Sequence, residues 1–76
     1  MLKVGCLYKI NKTALMAYGY NKDNLFYFLI PDDSIFMYIE KIKKEGMYLN
    51  IKILFENRIY KAYYHIGNEQ CFEKLA

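Results

Sequence analysis

Two runs of alternating apolar and polar residues, 47–56 and 58–66, meet at a short polar turn around Asn57 and constrain the fold more than any other feature. In the first run Met47, Leu49, Ile51, Ile53 and Phe55 take one side, and Tyr48, Asn50, Lys52, Leu54 and Glu56 take the other. In the second, Tyr60, Ala62, Tyr64 and Ile66 oppose Ile59, Lys61, Tyr63 and His65. A period of two sends successive side chains to opposite faces of a strand. Two such runs around a tight polar turn read as a β-hairpin with one buried face. Two turn registers fit the pattern; they differ by two positions and so keep the same faces. One sets Lys52 opposite Lys61, a like-charge pair that weakens a ladder. The other sets Lys52 opposite Tyr63 and Asn50 opposite His65, and is the register expected.

The remaining segments predict a small α+β domain spanning 1–76. Residues 2–10 alternate, with Leu2, Val4, Cys6, Tyr8 and Ile10 on one face, and predict a first strand. Residues 13–20 are apolar on both faces and predict a second strand, with Ala and Met content that also permits a short helix, followed by the polar turn Asn21, Lys22, Asp23, Asn24. Residues 25–30 form a continuous run of Leu, Phe, Tyr and Ile, as in a central strand covered on both sides. Asp32, Asp33 and Ser34 suit a helix N-cap, Ile35, Tyr38, Ile39 and Ile42 recur at helical spacing, and Gly46 suits the cap at the other end. That combination predicts a helix over 35–45, with Glu40, Lys41, Lys43, Lys44 and Glu45 on its solvated face. Residues 69–76 are expected to form a short final helical turn or an ordered tail, docked by Phe72 and Leu75. The predicted order is β-β-β-α-β-β: an antiparallel sheet of about five strands packed on one helix.

Composition narrows the function classes. A chain of 76 residues buries only about 60–65% of the surface its unfolded form exposes. Nine Tyr and five Phe offset that, because each ring buries a large area at low entropic cost. Net charge is +3, and all but one of the 11 basic residues are lysines. Arg58 stands alone, so bidentate readout of guanine or phosphate has little to work with. The abundance of Lys, Ile, Asn and Tyr fits an AT-rich genome. Cys6 and Cys71 lie near opposite ends and read as two reduced thiols. No apolar leader and no membrane-length apolar run is seen, so a cytoplasmic protein without a membrane association is expected.

The most informative surface is the outer face of the hairpin, with Tyr48, Asn50, Lys52, Lys61, Tyr63 and His65. Tyr is enriched at protein interfaces, and aromatics interleaved with Lys also suit single-stranded nucleic acid. The competing expectation is a plain solvent-facing strand, or one covered by the C-terminal segment. His65 has no neighbouring acid to make it a general base. A hydrolytic trio of His65, Tyr63 and Arg58 has little support. Cys6, His65 and Cys71 match no zinc spacing, and the four glycines are isolated, so no metal, cofactor or phosphate loop is expected. Small Tyr- and Lys-rich domains of this kind often act alone as inhibitors, immunity proteins or antitoxins in bacteria and phages. That class is an analogy, carried by no motif. The expectation is therefore a protein-binding module with a protein partner, or with a second copy as a homodimer. Single-stranded nucleic acid is the alternative ligand.

Overall fold

Seven strands and no helix of full length make up the computed structural model, which describes residues 2–76. They are β1 (Leu7–Ile10), β2 (Met16–Asn21), β3 (Asn24–Leu29), β4 (Ile35–Glu45), β5 (Tyr48–Phe55), β6 (Arg58–His65) and β7 (Phe72–Lys74). They form one antiparallel sheet in the order β3-β2-β6-β5-β4-β1-β7. The fold is thus all-β, and the α+β prediction is overturned. The six-residue 3-10 segment Ile66–Cys71 is the only helical piece among the described residues, and no helix is long and apolar enough to cross a membrane.

The hairpin of β5 and β6 keeps the predicted faces. Leu49, Ile51, Ile53, Phe55, Ala62 and Tyr64 are buried, whereas Met47 lies in a turn and is exposed. Its register is the one judged less favourable: Lys52 sits opposite Lys61 and Asn50 opposite Tyr63. The turn accommodates this register. Glu56 and Asn57 form the connection with φ of 50° and 65°, the two positive values of a type I′ turn, whose twist matches the strands it joins. The other register would move the two left-handed positions to Asn57 and Arg58, so either register holds one long charged side chain there and that cost is similar in both. Glu40 then relieves the charge clash, its carboxylate lying 3.1 Å from the Lys52 ammonium.

The predicted helix over 35–45 is strand β4. Its pairing with β5 shifts register between Tyr38 and Glu40 and again between Lys41 and Lys43. Ile39 and Ile42 are the two residues these bulges leave without a partner. Directly opposed residues share a face, so Tyr38, Lys41 and Lys44 follow Ile53, Ile51 and Leu49, and Glu40, Lys43 and Glu45 follow Lys52, Asn50 and Tyr48. Two bulges three residues apart turn a period of two into a period of three, close enough to 3.6 to imitate a helix. Burial confirms the strand: Phe36 and Tyr38 are 1% and 6% exposed, while Ile35 and Ile42 of the helical stripe are exposed. Gly46, expected as a helix cap, takes φ 59° in the two-residue turn to β5. Both roles need the same left-handed residue.

Three further predictions change. The first strand begins at Leu7 rather than Leu2, because Gly5 at φ 80° turns the chain and leaves Val4 in solvent. The Leu- and Phe-rich run of β3 is an edge strand, not a central one. The C-terminal segment ends in β7, which pairs with β1.

No helix covers the apolar side of the sheet, so the sheet curls over it. The ring of Phe72 on β7 lies 5.1 Å from Tyr64 on β6 and 5.6 Å from Phe36 on β4, although β5, β4 and β1 separate β7 from β6 in the ladder. The result is a cup whose concave side holds the core. Among the described residues, no charged or polar residue is buried there. Cys6 and Cys71 are free thiols. The β1–β7 register sets Cys71 beside Asn11, about five residues or roughly 16 Å along the strand from Cys6, beyond disulfide reach.

Two predictions follow from these contacts. A glutamate in the left-handed region is strained by up to about 1–2 kcal/mol, and Asn tolerates that region better. Glu56→Asn should therefore raise stability by about 0.5 kcal/mol or more, read from the urea midpoint. A drop would show that the Glu56 side chain makes a contact worth more than its backbone strain.

The Tyr64 hydroxyl donates to a carboxylate oxygen of Glu69 at 3.0 Å. Burial first, and that carboxylate second, push the Tyr64 phenol well above the ordinary tyrosine range. The unfolded phenol ionises near pH 10. Its contribution is therefore fully present below about pH 10 and is lost as pH rises beyond that, because only the unfolded chain then releases the proton. Urea midpoints should fall as pH rises from about 10 to about 12, and Tyr64→Phe should shallow that fall.

Candidate binding face

The convex side of the cup is built from the residues that alternate with the core. Ala17 and Gly19 face inward on β2, which sends Met16, Tyr18 and Tyr20 outward; β3 contributes Leu25, Tyr27 and Leu29 from the paired positions. β2 lies against β6 with Met16 opposite Tyr63 and Tyr18 opposite Lys61. Across β6 and β5, Tyr63 faces Asn50 and His65 faces Tyr48.

These registers bring five rings from four strands into one row. Centroid distances run 6.4 Å from Tyr27 to Tyr18, 5.9 Å from Tyr18 to Tyr63, 6.1 Å from Tyr63 to Tyr48 and 5.4 Å from Tyr48 to His65. The rings are tilted or edge-on, the arrangement that the aromatic quadrupole favours. The Tyr18 hydroxyl donates to Asn50 Oδ1 at 3.2 Å, which fixes the middle of the row. Partial burial raises the Tyr18 phenol above its ordinary range, with Lys43 opposing. Tyr27 and Tyr48 remain 57% and 49% exposed. The C-terminal segment does not cover this side, because Phe72 packs into the concave core.

All six residues expected at the site therefore share one face. Their electrostatics differ from a free basic patch. Lys52 pairs with Glu40, and Lys43 pairs with Glu45 at 2.8 Å, a hydrogen bond that raises the Lys43 ammonium pKa. Of the face's lysines, Lys61 has no acidic partner among the described residues. His65 serves the fold: its Nδ1 accepts the Gly67 N–H at 3.0 Å and caps the 3-10 segment. Arg58 starts the same strand that His65 ends, roughly 20 Å away, so the hydrolytic trio is not assembled. Among the described residues no three His, Cys, Asp or Glu side chains gather as a metal group. The lysines assigned to a helix face are split, Lys43 outward and Lys41 and Lys44 at the rim of the concave side, beside Glu69.

Sequence reasoning missed Tyr18, Tyr20 and Tyr27. The available signal was the small pair Ala17 and Gly19, which marks the crowded inner side of β2. At Gly19 an added Cβ would stand 2.9 Å from the Phe26 ring. Beyond the Tyr18–Lys61 pair, β2 and β6 separate and leave a groove of about 360 Å³, with Tyr20, Phe26, Arg58 and Ile59 in its walls.

No family model matches the chain, and no curated protein or solved structure matches it either.

The Glu40 contact gives a direct test of the face's charge balance. Glu40→Ala leaves Lys52 directly opposite Lys61 and should cost about 0.5–1 kcal/mol at low salt. The loss should shrink in 1 M salt, as screening over about 3 Å requires. A salt-independent loss would mean that Glu40 acts through packing.

Proposed function

We propose that the protein is a binding module whose convex aromatic face docks a protein partner, and that it acts by occupying that partner in the manner of an inhibitor, immunity protein or antitoxin. The observation that carries this reading is the open row of five rings on a face whose neighbouring lysines are largely neutralised by the chain's own carboxylates. Tyr supplies rigid amphipathic contact area at low entropic cost. The adjoining groove suits an anchoring side chain, the usual centre of an interface's energy. Single-stranded nucleic acid would also stack on the rings, but it needs free cations for phosphate, and Lys61 supplies one. Its binding would carry a salt slope near that of about one phosphate contact.

The test compares immobilised wild type, Tyr63→Ala and, as a control on a distant loop, Lys12→Ala. A partner held by wild type and Lys12→Ala, and released at least about tenfold more readily by Tyr63→Ala, supports the reading. Labelled single-stranded oligonucleotides that bind at low salt and are lost with Lys61→Ala would replace it with the nucleic-acid reading.

A further inference from the structure

β3 is an unprotected edge. Native sheets blunt their edges with short strands, charges, prolines or bulges. The other edge, β7, follows that rule: it has three residues, and Glu73 and Lys74 are two of them. β3 has six residues, Asn24–Leu29, with no charge, no proline and an unbroken register against β2. Its outward side chains are apolar or aromatic and half exposed: Leu25 44%, Tyr27 57% and Leu29 52%.

The backbone of β3 is equally open. The two-residue turn at Lys22 and Asp23 makes Asn21 and Asn24 a hydrogen-bonded pair, and the Ile30 N–H donates to the Leu15 carbonyl at the far end. Hydrogen-bonded pairs alternate along an antiparallel ladder. Asn24, Phe26 and Phe28 therefore bond to β2, while the N–H and C=O groups of Leu25, Tyr27 and Leu29 point out of the sheet.

The segment 25–29 reads Leu-Phe-Tyr-Phe-Leu, the same in both directions. In an antiparallel pair of two copies centred on Tyr27, Tyr27 faces Tyr27, Leu25 faces Leu29, and Phe26 faces Phe28. The two-fold axis preserves the sheet face, so apolar meets apolar on both sides. The same axis brings Lys22 of one copy toward the end of β3 where the other copy carries Asp32, an opposite-charge match. Centring on Tyr27 also uses all three outward-pointing residues of each strand.

We propose that the protein self-associates as a two-fold dimer through antiparallel β3–β3 pairing centred on Tyr27. This inference does not depend on the partner reading for the convex face. The contact is one short strand from each copy, in the class of small, transient interfaces below about 1,200 Å², so the dimer is weak and depends on concentration. The second edge, β7, is too short and charged to extend it into a filament.

Sedimentation equilibrium from about 5 to 500 µM should show a monomer–dimer equilibrium in this weak-interface range. Backbone amide exchange, read residue by residue over the same range, should show Leu25, Tyr27 and Leu29 gaining protection with concentration. Phe26 and Phe28, already bonded to β2, should not change. Tyr27→Lys sets like charges directly across the axis and should weaken the dimer at least about tenfold. Tyr27 is half exposed, so the variant should keep its circular dichroism. Should Tyr27→Lys fail to fold, Leu25→Lys at the end of the strand provides the same reading. Lys74→Ala, on β7 at the opposite edge of the sheet, should leave the dimer unchanged. A monomer throughout, an open-ended polymer, a dimer indifferent to both lysine variants, or protection that does not alternate along 25–29 would each overturn the proposal.

Discussion

A single sheet with no helix lying on it can exclude water from its apolar side only by curling until that side faces itself. Phe72 shows the degree of curl, since it touches Tyr64 and Phe36 from a strand that stands at the far end of the ladder. Everything else in the structure answers to that requirement. The two bulges of β4 bend the sheet where a regular strand would resist bending. The 3-10 segment carries the chain from β6 to β7 across the open side, and His65 and Glu69 fasten it at its start and middle through Gly67 and Tyr64. Because the apolar mass is spent on the concave side, the convex side is left with the alternate set of residues. In this chain that set is rich in tyrosine.

The hairpin of β5 and β6 shows how far local pattern carries. Its faces follow from alternation alone, and with them the six residues of the binding face. Its register does not, because a like-charge pair looks worse in isolation than it is beside Glu40. A cross-strand charge pair is worth at most about 1 kcal/mol, and either register holds one long charged side chain, Glu56 or Arg58, in the left-handed turn at a similar cost. What the hairpin alone leaves out is the carboxylate on the next strand, which compensates for the like-charge pair. No reading of the hairpin by itself could include that carboxylate, since Glu40 arrives through a bulge in β4.

The errors share a cause. In residues 35–45, and again in 25–30, nearly every position in part of the segment is apolar, so period cannot distinguish the templates. For β4 the decision lies in long-range pairing: the segment supplies hydrogen bonds to β5 on one side and β1 on the other, which a helix could not. For β3 the doubly apolar character was read as burial on both faces. The inward pair Phe26 and Phe28 is indeed half covered, with Phe28 edge-on to Tyr60 at 5.2 Å, but the outward set is half exposed and only Tyr27 meets another ring, that of Tyr18. Tyr18 and Tyr27 were likewise invisible as site residues, because their place in the row depends on β2 reaching β6, a contact 40 or more positions away in sequence.

The aromatic row and the open edge are joined at Tyr27, which ends the first and centres the second. Pairing two β3 strands would set the two rows end to end across the axis, on one continuous face of a doubled sheet. A partner that contacts only the Tyr63 and Tyr48 end would then bind each copy independently. A partner that reaches Tyr27 would meet both copies at once, and its affinity would rise with protein concentration, because binding and self-association would stabilise each other. The dependence of partner affinity on protein concentration thus reports which end of the row is occupied. It does so through linkage alone, without a change in the fold of either copy.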